Sequence, residues 1–312
     1  MRLLLPILSF LLSLTNSHHV IFVHNMGTKS HLIQMKPLMS ELLDRGHTVS
    51  AIIFNSVKIN HENFTEIVIP SAMDSVYAEA SKKLMEKGGT NMMNPSLWWW
   101  AFHFYKSKME DMSLDLVRSQ EVQQLIQSGT KIDAVITLFP NNAMFAEIFD
   151  CPVILFSPIG PLSTLTKGTG NIINHSIQPY QISSFIEPMT FANRLTNHAI
   201  YTLSQLFMDW IADEMYNHQK EFLKNELSLA ISHPELTIKD KFSVLLTCSH
   251  VVTHGAWQYL PNVIEVTIYF VSFSVPRLAE WHFRKLELFL QKCRSSWILP
   301  QKELFLFPLD LH

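Results

Sequence analysis

Apolar and polar positions in the first half of the chain switch repeatedly between two periods. Val20–Val23 is a continuous apolar run, which reads as a strand buried on both faces. After a loop containing Gly27, apolar residues fall at Leu32, Met35, Leu38, Met39, Leu42 and Leu43, a spacing that makes one face of a helix. Ser30 can cap the start of that helix and Gly46 follows its last turn. Strand character resumes over Thr48–Phe54, completing a βαβ unit.

A second unit follows the same logic. A helical stretch carrying Val117, Val122 and Leu125 leads to a strand at Ala134–Leu138, a helix at Ala143–Phe149 and a strand at Val153–Phe156. Strands alternating with helices imply an α/β fold: a Rossmann-like parallel sheet with helices on both faces. Ligands of such sheets gather at the carboxyl ends of the strands, and His31 falls in that zone, just after the first strand.

Between the two units lies an aromatic helical pattern over residues 94–109, with Trp98, Trp99, Trp100, Phe102, Phe104 and Tyr105. Three consecutive tryptophans point in different directions on a helix, so at least one faces a groove or surface. Further on, Phe191–Leu227 reads as a second aromatic helical stretch, and residues 242–250 as a strand. The pair Pro261-Asn262 marks a boundary candidate.

Charge and termini narrow the classes of function. A formal net charge of -3 with no cationic stripe argues against a nucleic-acid partner. Met1–Ser17 has a cation at Arg2, an apolar run and small polar residues before His18, the pattern of a signal peptide. Entry into a secretory compartment would expose two glycosylation sequons, at Asn63 and Asn174. Three widely spaced cysteines, Cys151, Cys248 and Cys293, form no disulfide framework. No later stretch is long and apolar enough to span a bilayer, and His18, His19, His24 and His31 lack metal-ligand spacing, so neither a membrane anchor nor a metal is expected.

Four segments together resemble one family: Ser30-His31 with the helix that follows, Ala146–Pro158, Met189–Asn197 and Leu260–Val266. The chain is similar to the UDP-glycosyltransferases that include the UDP-glucuronosyltransferases. The resemblance implies the N-terminal, acceptor-binding half of a two-domain GT-B fold, in which a hexosyl or glucuronosyl group passes from a UDP-sugar to a lipophilic hydroxyl. UDP-sugar would be a co-substrate, with no cofactor. Domains are then expected at residues 1–17 (signal), 18–262 (acceptor-binding domain) and 263–312 (linker and start of a donor domain). The endoplasmic reticulum lumen is the implied location, and Trp98, Trp99 and Phe102 are the expected acceptor contacts.

By the same resemblance His31 is the general base. The partial positive charge of a helix N-terminus independently disfavours imidazolium and keeps such a ring able to accept a proton. The family pairs this histidine with an aspartate near the end of the strand that here reads Asp133–Leu138, but Thr137, Leu138 and Phe139 occupy the expected place. Asp133 sits at the other end of the strand. Asn141 or Asn142 could hydrogen-bond the imidazole without supplying a charge, and loss of the carboxylate would be expected to cost on the order of 10⁴ in rate, by analogy with a triad aspartate changed to asparagine.

Residues 268–291 resemble the first strand and helix of a donor domain without its phosphate-approaching glycine, and the family's donor signature is not found before His312. The expectation is therefore a transferase by descent that is inactive as a truncated chain, because residues 1–312 hold no intact donor site. The alternative is a non-catalytic lumenal protein that binds acceptors or pairs with related transferases as a homo- or hetero-oligomer.

Overall fold

A computed structural model describes residues 17–24, 29–69, 82, 86, 110–138, 140–158, 160, 169–171, 173–180, 183, 185, 188–231, 242–248 and 260–266. The predicted helical region with Trp98, Trp99 and Phe102 lies outside these residues, as do the signal segment and residues 267–312.

Seven strands form one sheet: β1 (His19–His24), β2 (Thr48–Ile53), β3 (Phe64–Val68), β4 (Ala134–Thr137), β5 (Val153–Ser157), β6 (Phe242–Thr247) and β7 (Val263–Glu265). Their order is β3-β2-β1-β4-β5-β6-β7, and every pairing is parallel. This is a Rossmann-like α/β sheet. The strand order reverses between β1 and β4, so the crevice at the carboxyl ends of those two strands is the topological switch point. The boundary candidate Pro261-Asn262 forms the turn into β7, and β7 itself pairs with β6 in the same sheet.

Helix α1 (Lys29–Asp44) buries Leu32, Met35, Leu38, Met39, Leu42 and Leu43, the six residues that share one face by their spacing. They meet Val20 and Phe22 of β1 and Ala134 and Ile136 of β4 on one side of the sheet. The helix stops because Gly46 adopts a left-handed conformation, φ +83°. Its N–H donates to the Leu43 carbonyl at 2.9 Å and that of His47 to Leu42 at 3.0 Å, the paired bonds of a Schellman stop. Ser30, expected as the cap, instead lies inside the first turn, because the helix already begins at Lys29.

The opposite side of the sheet is covered by α2 (Glu110–Arg118), α3 (Gln120–Gln127), α4 (Met144–Phe149) and the last turns of α5 (Phe191–Glu226). The stretch that reads as one helix in sequence divides at Ser119. Its extended backbone and side-chain oxygen, accepting from Val122 N–H, cap α3. Helix α5 is tied to α2 by Arg118, which donates to both carboxylate oxygens of Glu226 at 3.2 and 2.7 Å.

The first half of α5 holds a loop rather than the sheet. Asn197 is fully buried; its Oδ1 accepts from Tyr180 N–H at 2.7 Å, and its Nδ2 donates to the carbonyls of His175 (2.8 Å) and Gln178 (2.9 Å). Tyr201 packs against Tyr180 edge-on and stacks on His175. The same loop is clasped to the turn before β7, where Asn262 Nδ2 donates to the Thr169 carbonyl and Leu260 N–H donates to Asn171 Oδ1. Asn197→Ala leaves three backbone groups without their partner, and we expect a loss of about 2–4 kcal/mol at about 1 kcal/mol or more per orphaned group. Urea unfolding measures it, and early proteolysis within 173–180 locates it.

Candidate functional site

The site is built from the ends of β1 and β4 and the start of α1. Period-2 alternation along β1 places Val20, Phe22 and His24 on the side of α1, while Ile21 and Val23 face the other core. His24 closes the strand and is fully buried. His31, the third residue of α1, is half-buried. The two rings approach to 6.0 Å between centroids at an interplanar angle of 59°, and Phe54 lies 5.5 Å from the His24 ring.

Among the described residues the buried ring nitrogens here have no hydrogen-bond partner: Nδ1 and Nε2 of His24, and Nδ1 of His31. Burial pushes the His24 pKa down to about 3, and the neighbouring His31 adds to the effect. Burial also lowers that of His31. Both rings are therefore neutral near pH 7. His31 can accept a proton there, and its position in the first helical turn favours the same state.

The structure separates the candidates for a partner to His31. Asn142 is fully buried and serves the other side of the sheet: its Nδ2 donates to Thr137 Oγ1 at 3.0 Å and reaches the Val23 carbonyl at 3.5 Å, and its Oδ1 accepts from Ser113 Oγ at 3.2 Å. Asn142 is therefore not bonded to the His31 imidazole, since Thr137 points into the core opposite α1 and draws Asn142 with it; the side chain of Asn141, the other candidate, lies outside the described residues. Of Thr137 and Leu138, Leu138 is the one packed on the α1 side, among Leu32 and Met35. The third residue of the expected place, Phe139, lies outside the described residues.

Asp133 lies at the far end of β4, as its strand position requires. It accepts from His19 N–H at 2.9 Å, with His18 Nδ1 at 3.7 Å and Lys131 Nζ at 3.9 Å. The five steps of β1 from His19 to His24 put that cluster roughly 16 Å from the switch point, at ~3.3 Å per residue.

Asn174 is exposed in a turn, where its Oδ1 accepts from Ser176 N–H at 3.1 Å. Asn63 is half-buried in the turn before β3, and its carbonyl accepts from Val49 N–H. Among the described residues no group of three or more His, Cys, Asp or Glu could hold a metal ion, and no helix is long and apolar enough to cross a membrane. Cys151 and Cys248 are free thiols. Sequence reasoning missed His24 as a site residue. The signal for His24 was its i, i+2 relation to Phe22, which puts it on the face that α1 covers.

Residues 20–267 match the family model for UDP-glucoronosyl and UDP-glucosyl transferases, and the chain belongs to that family. It is 24% identical over 249 residues to UDP-glycosyltransferase UGT4 of Dactylopius coccus, covering 77% of this chain and 46% of that protein. It is 25% identical over 191 residues to UDP-glucuronosyltransferase 2B15 of Homo sapiens, covering 55% and 35% respectively. A solved complex between a Polygonum tinctorium UDP-glucosyltransferase capable of glucosylating indoxyl and 3,4-dichloroaniline aligns with a TM-score of 0.38 and 14% identity, over 81% of this chain and 52% of that one. The chain spans half or less of the length of these curated relatives.

Proposed function

We propose that this chain is the acceptor-binding half of a UDP-sugar-dependent glycosyltransferase and that His31 is its general base. The observation that carries the reading is a half-buried, neutral imidazole at the switch point of a parallel sheet, within the residues that match the family. His31 Nε2 takes the proton of an acceptor hydroxyl. The acceptor oxygen bonds to the anomeric carbon with inversion as the carbon–oxygen bond to UDP breaks, and UDP leaves with the electron pair. The acceptor is a small lipophilic alcohol or phenol, and Trp98, Trp99 and Phe102 are proposed as its apolar contacts. A UDP-sugar site requires a donor half beyond the matched residues.

Residence in the endoplasmic reticulum lumen accompanies this reading. Asn174, being exposed, is expected to carry glycan more completely than half-buried Asn63. Treatment of the secreted-pathway protein with an endoglycosidase should lower its apparent mass, and Asn174→Gln should remove the larger part of that change. An unchanged mass in the untreated Asn174→Gln variant would contradict the assignment.

The reaction is tested by joining residues 1–266 to the donor half of a related transferase and supplying labelled UDP-sugars with phenolic acceptors. Glycoside formation coupled to UDP release is expected. Saturable acceptor binding with no transfer from any UDP-sugar would favour a non-catalytic acceptor-binding protein instead.

A further inference from the structure

Two histidine pairs in this protein calibrate each other. His175 and His198 are hydrogen-bonded Nδ1 to Nδ1 at 3.0 Å with ring centroids 5.1 Å apart. The His24 and His31 rings, with centroids 6.0 Å apart, stand farther from each other and share no hydrogen bond. The two rings carry buried nitrogens, Nδ1 and Nε2 of His24 and Nδ1 of His31, whose hydrogen bonds are unmade among the described residues. A buried polar atom left without a partner is unfavourable and uncommon, which calls for a functional or structural reason. Catalytic hydrogen bonds are often long before substrate binds and tighten in the reacting complex.

Among the described residues His24 is the group placed to serve His31. Leu138, on the same side of the sheet, has no polar atom to offer. Thr137 and Asn142 bond to each other on the opposite side. Asp133 is at the far end of β4.

We propose that His24 is the positioning residue for His31: a neutral His24 nitrogen accepts the Nδ1–H of His31 and fixes the tautomer that leaves Nε2 free as the base. The inference rests on the reading of His31 as general base. When Nε2 takes the acceptor's proton, the imidazolium keeps its Nδ1–H and donates it to His24, and no proton passes to His24. The pair does by neutral hydrogen bonding part of what a carboxylate does in a His–Asp dyad: it holds ring orientation and tautomer, without the negative charge.

Long-range proton–nitrogen NMR of the imidazole rings in the 312-residue chain reads the tautomer and pKa of His31 without reference to catalysis. The wild-type chain is expected to show the Nδ1–H tautomer at His31. His24→Phe should shift it to Nε2–H and lower the His31 pKa by about one unit, a tenfold loss of proton affinity. His24→Gln, whose side-chain carbonyl can accept, should keep the Nδ1–H form. An Nε2–H tautomer at His31 in the wild-type chain overturns the proposal even if His24→Phe does not fold; so does a tautomer and pKa unchanged in a folded His24→Phe. Sugar transfer is scored separately: transfer without the tautomer shift removes the pair and keeps the reaction, and the shift without transfer does the reverse.

Discussion

His31→Ala should lower glycosyl transfer by about 10²–10⁴-fold, the usual range for loss of a positioned general base. The measurement is kcat/KM in the chimeric enzyme carrying residues 1–266, with acceptor affinity determined alongside by fluorescence titration. Affinity should hold within about threefold, because the imidazole takes the proton only as the new bond forms, and an interaction made in the transition state alone appears in rate and not in binding. The pH profile carries the same signature. Burial places the His31 pKa below the ordinary 6.5, so the rate should already be on its plateau at pH 7 and should fall as acid protonates the base. A variant within tenfold of its parent, or a rate that rises on acidification, would remove His31 from the reaction.

The second large effect is on stability. His24 is neutral in the folded chain with a pKa near 3, while in the unfolded chain it returns to about 6.5. Below pH 6.5 the unfolded state binds the extra proton, so stability is at its plateau above that value and declines as pH falls toward 3. The slope is at most about 1.4 kcal/mol per pH unit from this one group. Between pH 6.5 and 5.0 the wild-type chain should therefore lose about 2 kcal/mol through His24, and the depressed pKa of His31 adds to the loss in the same direction. His24→Phe replaces a buried unpartnered ring with an apolar one beside Phe54, and urea unfolding at the two pH values should show a clearly shallower dependence. Equal acid sensitivity in both chains would mean that His24 is not held neutral by burial.

Much of this architecture is legible in the sequence because its strongest elements repeat their pattern without interruption. Helix α1 buries the six apolar residues its spacing selects, and β1, β4 and β5 are built on continuous apolar runs that suit a sheet covered on both faces, while β2 carries Ser50 among its apolar residues. Strand β3 is different: Phe64–Val68 contains Thr65 and Glu66, none of its residues is fully buried, and it lies at the sheet edge, so no periodic signal announces it. The division of α2 from α3 at Ser119 is likewise a matter of one cap, invisible to a pattern that continues in phase across it.

The site was legible by position and not by partnership. His31 is found at the carboxyl edge of β1 because a helix must begin there, and Asp133 is found at the far end because strand direction dictates it. Which side of the sheet each residue of β4 takes depends on register. Thr137 and Leu138 are adjacent in sequence, yet one joins the Asn142 network and the other the core beneath α1. The closeness of His24 to His31 is a tertiary fact of the same kind, created when the start of α1 folds back over the end of β1.

Sugar transfer by the protein as its source makes it decides whether this sheet and its His31 belong to a working transferase. We would capture it with an antibody and incubate it with a panel of UDP-sugars and hydrophobic phenols, following UDP release and glycoside together. The account predicts stoichiometric UDP and glycoside, with the anomeric configuration inverted relative to the donor. Saturable binding of the phenols with neither product formed, from any UDP-sugar, would contradict it.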